Sequence, residues 1–144
     1  MTISSAIHTS QAGGKPPARA LVLFAHGARD VRWREPFDRL QARLAASLPG
    51  HAVRLAFLEL MTPALPDVLR ELAGEGVRDM LVVPVFFGQG GHLRRDLPAL
   101  LDECRAALPD VRIACAQAVG EADSVLDAIA AYCSAELLLA SPAR

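Results

Sequence analysis

Short, continuously apolar runs alternate along this chain with longer stretches in which apolar residues recur every three or four positions. The apolar runs predict strands over Ala20–Ala25, Ala52–Leu58, Asp79–Phe87 and Val111–Ala116. The first intervening stretch, Glu35–Leu48, carries Phe37, Leu40, Leu44 and Leu48 on one helical stripe and is closed by Pro49-Gly50. The second opens at Thr62-Pro63, read as an N-cap with proline at the first helical position, and runs to about Ala73 before Gly74 and Gly76. A third helix is predicted over His92–Leu108, after the glycine-rich turn Gly88 to Gly91, and a fourth over Ala122–Leu139.

Strands with unbroken apolar character, separated by helices, predict an α/β fold: a four-stranded parallel sheet with helices on both faces. Right-handed crossovers and doubly wound connectivity give the strand order 2-1-3-4. Ligands of such sheets bind beyond the carboxyl ends of the strands, where the winding reverses, here between the first and third strands.

Three side chains able to bind a metal stand near those strand ends. His26 follows the first apolar run, Glu59 the second, and His92 the third with its glycine-rich turn. The intervals His26 to Glu59 and Glu59 to His92 are each 33 residues, so the three are expected at one phase of successive structural units and on one edge of the sheet. Imidazole is the commonest metal ligand, and His92 in the first turn of a helix is expected to stay neutral because the helix dipole disfavours its cation. Gly88-Gln89-Gly90-Gly91 reads as a turn, flexible or with positive φ, where backbone approaches a ligand closely. Arg29, Arg32 and Arg34 follow His26, and Arg94 and Arg95 follow His92, a plausible guanidinium rim for a small molecule bearing several carboxylates. Asp30 and Asp96 are candidates to hold these arginines or the histidines. Trp33 and Phe87 offer apolar surface, with core packing the more ordinary place for both. His8 and His51 receive no role.

Composition narrows the classes. The chain has 144 residues, 52% of them apolar, enough for one domain with a real core, expected over residues 19–144. Residues 1–18 are polar, with Gly13-Gly14 and Pro16-Pro17, and read as a disordered leader without the apolar segment of a signal peptide. A net charge of −1 gives no bias toward nucleic acid, and no apolar stretch is long enough to span a membrane. Cys104, Cys115 and Cys133 are odd in number and lack Cys-x-x-Cys spacing, so buried thiols in a reducing compartment, the cytoplasm, are expected. No Gly-x-Ser-x-Gly nucleophile elbow or Gly-Lys-Ser/Thr phosphate loop is present, and Leu93 stands where a dinucleotide fingerprint needs its third glycine. Ala25 occupies the position before His26 at which histidine phosphatases carry an arginine.

The strings His26-Gly27-Ala28-Arg29-Asp30, Ala56-Phe57-Leu58-Glu59-Leu60 and Val83 to Pro98 resemble the CbiX/SirB class of sirohydrochlorin chelatases, and the similarity runs from about Ala20 to Tyr132. The departure is Ala28, where many relatives have serine. The resemblance implies a chelatase-like three-layer fold and insertion of cobalt(II) into sirohydrochlorin for cobalamin, or of iron(II) for sirohaem. It assigns His26, Glu59 and His92 to metal handling and catalysis. The macrocycle's carboxylates would meet Arg29, Arg94 and Arg95, with Gly90 and Gly91 beside them. No permanently bound cofactor is implied: the divalent ion, cobalt with iron or nickel as alternatives, is a substrate. A chain with one such domain resembles the short form, which works as a homodimer. A non-catalytic metal or tetrapyrrole carrier and a small hydrolase or phosphatase are the competing readings. Binding without turnover would mark the first, and the missing nucleophile and phosphate motifs disfavour the second.

Overall fold

The computed structural model describes residues 14–140 and 142, and of His92 the backbone alone. The expected leader before residue 14, with His8, lies outside the described residues, while residues 14–18 form no helix or strand. Strands β1 (Ala20–Ala25), β2 (Ala52–Phe57), β3 (Asp79–Pro84) and β4 (Arg112–Cys115) pair in parallel in the order β2-β1-β3-β4. Helices α1 (Glu35–Ser47), α2 (Leu65–Gly74), α3 (Gly91–Ala107) and α4 (Asp123–Leu139) alternate with them, and short 3-10 turns occupy Val31–Arg34 and Val119–Glu121. The topology is the one the pattern predicts.

Strand residues alternate between faces, and the two faces of this sheet differ. On one, Val22, Phe24, Ala56, Met80 and Val82 are buried under α2 and α3. These helices present Leu65, Val68, Leu69 and Leu72, and Leu93, Leu97, Leu101 and Cys104, at three- and four-residue spacing. Each such side chain removed from water contributes about 1.5–3 kcal/mol. On the other face Leu23, Ala25, Leu55 and Phe57 meet Trp33, Phe37 and Leu44. Here cover is incomplete: no residue of α1 is fully buried, and Leu40, expected in its apolar stripe, is 37% exposed. The burial of β3 alternates, Met80, Val82 and Pro84 buried and Asp79, Leu81 and Val83 only half-buried. Helices therefore flank both faces of the sheet, as expected, while the cover over β3 and β4 on the side opposite α2 and α3 is incomplete.

Local differences from the predicted elements have identifiable causes. The second helix starts at Leu65 rather than at Thr62-Pro63, and its N-cap Ala64 makes no side-chain cap. The carbonyl of Pro63 accepts from the Phe57 amide at 2.9 Å, and Phe57 and Ala64 form a bridge, so residues 62–64 lie alongside β2 instead of entering the helix. Strand β3 ends at Pro84, although the Val85 amide still reaches the Phe24 carbonyl at 2.8 Å; β1 stops one residue later at Ala25 and leaves Phe86 and Phe87 without a ladder partner. Cys104 is buried and Cys115 only half-buried, and desolvation pushes both thiols above the usual thiol range. Cys133 is exposed on α4, contrary to the expectation of three buried thiols. No helix among the described residues is long and apolar enough to cross a membrane.

Candidate functional site

The segments that carry the expected groups follow the carboxyl ends of the strands. His26 directly follows β1, and its carbonyl accepts from the Glu59 amide at 3.1 Å, just past the matching bond from the Leu58 amide to the Ala25 carbonyl at 2.9 Å. The two loops thus run side by side for two residues beyond the ladder. Gly27 makes that possible. It sits at φ +89°, and a Cβ on it would overlap the carbonyl oxygen of Glu59. Both His26 and Glu59 are exposed. The imidazole of His26 lies against the buried ring of Phe86, with centroids 4.5 Å apart. That contact fixes the position of the ring while leaving it open to solvent.

His92 is the second residue of α3, which is capped by the backbone of Gly90 with no side-chain cap. His26, Glu59 and His92 therefore share the edge but not the phase. They stand one, two and eight residues past the ends of β1, β2 and β3, so the equal sequence intervals do not mark equivalent structural positions. Among the described residues no three imidazole, carboxylate or thiolate groups gather into a metal-binding cluster. Of the two readings of the glycine turn, flexible or with positive φ, the second is not met. Positive φ occurs at Gly27, Gly50 and Gly76, not at Gly88, Gly90 or Gly91. A Cβ at these last three would meet nothing within 4 Å, so they leave space in front of α3 rather than relieve strain.

The arginines divide into two groups. Arg32 forks onto Asp30, whose carboxylate also caps the 3-10 turn through the Arg32 amide at 2.9 Å; the pairing holds the Asp30 carboxyl below its ordinary range. Arg34 bonds Asp38 at 3.0 Å and lies over the Phe57 ring. These two are committed to the loop. Arg29, Arg94 and Arg95 are exposed and make no ion pair among the described residues, although the Arg94 guanidinium reaches the Gln89 carbonyl at 3.3 Å. Asp30 thus holds an arginine, as expected, while Asp96 is exposed and pairs with none among the described residues. Trp33 packs on Phe37 and Phe57 in the core. Phe87 is 68% exposed and so offers apolar surface rather than taking the more ordinary core place. His51 lies at the opposite, amino end of the sheet.

Two features of this edge are not legible in the motifs. Leu60, next to Glu59, is the sole non-glycine with positive φ among the described residues, and its side chain is exposed. Gly120, in the turn before α4, donates its amide to the Phe86 carbonyl at 2.9 Å, and a Cβ there would overlap the backbone of Phe87. The segment that leads to the glycine turn is thereby clamped by residues more than thirty positions downstream. Gly120→Ala is expected to cost about 1–3 kcal/mol as an overpacked backbone contact, read as a fall in melting temperature of roughly 2–4 °C per kcal/mol. Gly88→Ala, built into open space, should leave the melting temperature nearly unchanged.

His26, Arg29, Glu59, Arg94 and Arg95 are all exposed at this edge. The apolar cavity of about 150 Å³ between α2 and α3, lined by Pro66, Leu100, Cys104 and Leu108, lies away from these loops and includes none of the groups above.

The CbiX family model matches residues 20–135. A sirohydrochlorin cobaltochelatase of Methanococcus aeolicus is 29% identical over 82 residues, 57% of this chain and 57% of that protein. One of Sulfurisphaera tokodaii is 28% identical over 100 residues, 69% of this chain and 78% of its own length. The chain thus spans little more than half the length of the first of these curated relatives. Among solved structures, a CbiX protein of cobalamin (vitamin B12) biosynthesis from Marinobacter aquaeolei VT8 superposes with a TM-score of 0.76 at 32% identity, covering 85% of this chain and 99% of that one. The sirohydrochlorin chelatase SirB of Bacillus subtilis subspecies spizizenii, solved with cobalt, shares the fold at a TM-score of 0.69 and 20% identity, over 81% of this chain and 50% of its own. With a parallel sheet of the expected order and a family match running from its first strand into its last helix, the chain belongs to the CbiX family.

Proposed function

We propose that this protein is a sirohydrochlorin cobaltochelatase acting in cobalamin biosynthesis, with His26, Glu59 and His92 as the groups that meet the metal and the macrocycle. The observation that carries the reading is the convergence of the His26 and Glu59 loops, with the start of α3, on one open edge of a CbiX-family sheet. The reaction exchanges two pyrrole N–H protons for four metal–nitrogen contacts, so the protein must present the ion and accept two protons. Neutral imidazole suits both tasks near neutral pH, and imidazole with carboxylate matches cobalt, nickel or iron. The ion is a substrate, and the proposed chemistry needs no resident cofactor.

Arg29, Arg94 and Arg95, exposed and without an ion pair among the described residues, are assigned to the carboxylates of the macrocycle, and the amides behind Gly90 and Gly91, which have no side-chain cap, favour an anion in the same place. An open edge covers one side of a flat tetrapyrrole. A homodimer that brings two such edges together would supply a cleft. We place the protein in the cytoplasm, consistent with cysteines that are unpaired among the described residues.

The test is an anaerobic absorbance time course with sirohydrochlorin and cobalt(II), and in parallel iron(II) and nickel(II). Conversion to the cobalt product over many turnovers is expected. Faster iron insertion would reassign the protein to sirohaem synthesis, and a tetrapyrrole binding shift without insertion would make it a carrier. The glycines allow a sharper check. Gly91→Ala puts a methyl group into open space at the first position of a helix, where alanine is favoured over glycine by about 0.5–1 kcal/mol. It is expected to raise the melting temperature slightly while weakening sirohydrochlorin binding, seen as a higher KM. Unchanged KM would remove Gly91 from the substrate surface.

A further inference from the structure

Outside α4, the large apolar side chains exposed among the described residues are Val31, Leu40, Leu60 and Phe87. Three of these four stand in the loops that follow β1, β2 and β3, the loops that also carry His26, Glu59 and the glycine turn. Leu60 and Phe87 occupy matching places there, each three residues past the end of its strand. Their strands flank β1 on either side, so the two loops start about 10 Å apart with the His26 loop between them. Both residues are tied to His26 through an immediate neighbour. The Glu59 amide, beside Leu60, donates to the His26 carbonyl at 3.1 Å, and the ring of Phe86, beside Phe87, lies 4.5 Å from the imidazole.

Neither exposure serves the fold. Leu60 is 59% exposed and Phe87 68%, so water meets apolar surface that burial would have removed. Leu60 carries a second cost. Its φ of +62° lies in the left-handed region, where a Cβ crowds the backbone and a large side chain is rare. Glycine would make the same turn without that cost. The backbone of Phe87 is fixed as well, by the close approach of Gly120. Bulky apolar groups held in set positions, one of them in a disfavoured conformation and neither repaid by burial, belong to a surface that something else covers.

We infer that Leu60 and Phe87 are the residues on which a flat face of the macrocycle rests, one on either side of His26. The inference rests on the proposed tetrapyrrole reading of this edge and adds which part of the substrate meets which part of the protein. In such a molecule carboxylates surround a conjugated, apolar centre. The edge has the same layout, with Leu60 and Phe87 beside the groups tied to His26, and the exposed Arg29, Arg94 and Arg95 further along the chain after β1 and β3. The guanidinium groups alone would accept any small polycarboxylate. The apolar pair selects one with a flat apolar centre. That contact is the same before and after metal enters the ring, so it holds ground state and transition state alike.

Anaerobic titration of metal-free sirohydrochlorin, followed by its absorbance, would compare the full chain with Leu60→Gly and Phe87→Ser, and with the conservative Leu60→Met and Phe87→Leu. One apolar side chain of this size covered by a ligand is worth about tenfold in affinity. Each truncation is expected to weaken binding by about that factor at low and high salt alike, whereas a contact made by charge would fade with salt. The conservative variants should restore binding. Under turnover the KM for sirohydrochlorin rises, while kcat and the KM for cobalt stay within about twofold of the parent. Leu60→Gly should also keep or raise the melting temperature, which separates weaker binding from lost folding. Truncated variants that bind within twofold of a parent that turns over would overturn the inference and leave the chelatase reading standing. A parent without affinity for sirohydrochlorin would end both. A parent that sediments at twice the chain mass, with truncated variants at a single chain mass, would make the pair a contact between copies and overturn its role as a substrate surface. If Phe87→Ser fails to fold, Leu60→Gly still decides.

Discussion

Gly27→Ala is expected to be the most damaging single-methyl change at the carboxyl edge. Two costs add at this position. Gly27 sits at φ +89°, where a Cβ meets the chain's own backbone at a cost of about 1–2 kcal/mol. That Cβ would also overlap the Glu59 carbonyl oxygen, which cannot rotate away as a side chain would. Forcing backbone apart in a tight contact adds about 1–3 kcal/mol. The sum, roughly 2–5 kcal/mol, predicts a fall of about 5–15 °C in melting temperature for a domain of this size. The damage is directional. The only way to admit the methyl is to separate the His26 loop from the Glu59 loop, breaking the hydrogen bond that the Glu59 amide donates to the His26 carbonyl. Thermal melts of Gly27→Ala beside Gly88→Ala, whose Cβ meets open space, would check it. Equal melting temperatures would mean that the two loops are not held together as described.

The contrast between these glycines shows where sequence reasoning stops. The apolar runs and helical stripes gave the strand order and element types because burial depends on periodicity, and periodicity is visible in a single chain. His26 and Glu59 could be placed on one edge because parallel topology sends every strand end the same way. What could not be read is contact between distant segments. Gly27 is conspicuous beside a histidine, but nothing in the sequence says that its neighbour is Glu59. Gly120 is an ordinary loop glycine until the structure sets it against Phe87. The equal 33-residue intervals were informative about the edge and misleading about phase, because His92 stands inside α3, eight residues past β3, while His26 and Glu59 stand one and two residues past their strands. The arginines needed side-chain geometry: five looked equivalent, and only Asp30, Asp38 and Phe57 show that Arg32 and Arg34 are occupied. Thr62-Pro63 carried a proper helix-start signature and lost to β2, whose last residue, Phe57, bonds the Pro63 carbonyl. The last helix was predicted correctly as a helix, but the exposure of its apolar residues was not legible, since periodicity reports that a segment is helical and not where the helix packs.

Under the proposed function, His26→Ala should abolish most metal insertion while leaving the fold intact. The two halves of that expectation have separate grounds. His26 is exposed and donates no side-chain hydrogen bond among the described residues; its visible contact is the ring of Phe86. Removing such a group typically changes stability by no more than about 0.5 kcal/mol. Turnover is a different matter, because a positioned proton acceptor is worth about 10²–10⁴-fold. His92→Ala is expected to lose a comparable factor, and Glu59→Gln less, since the amide keeps the shape and an oxygen while losing the charge. Steady-state kinetics can then separate holding the ion from accepting protons. A residue that only binds cobalt raises the KM for cobalt and is rescued by more metal; one that acts in the transition state lowers kcat with that KM unmoved. We expect Glu59→Gln to show the first pattern and His26→Ala the second, because the imidazole is held in place on Phe86 while the carboxylate follows a loop that turns at Leu60 with positive φ. A His26→Ala protein with normal melting temperature and turnover within threefold of the parent would take His26 out of the reaction and leave the edge as a binding surface.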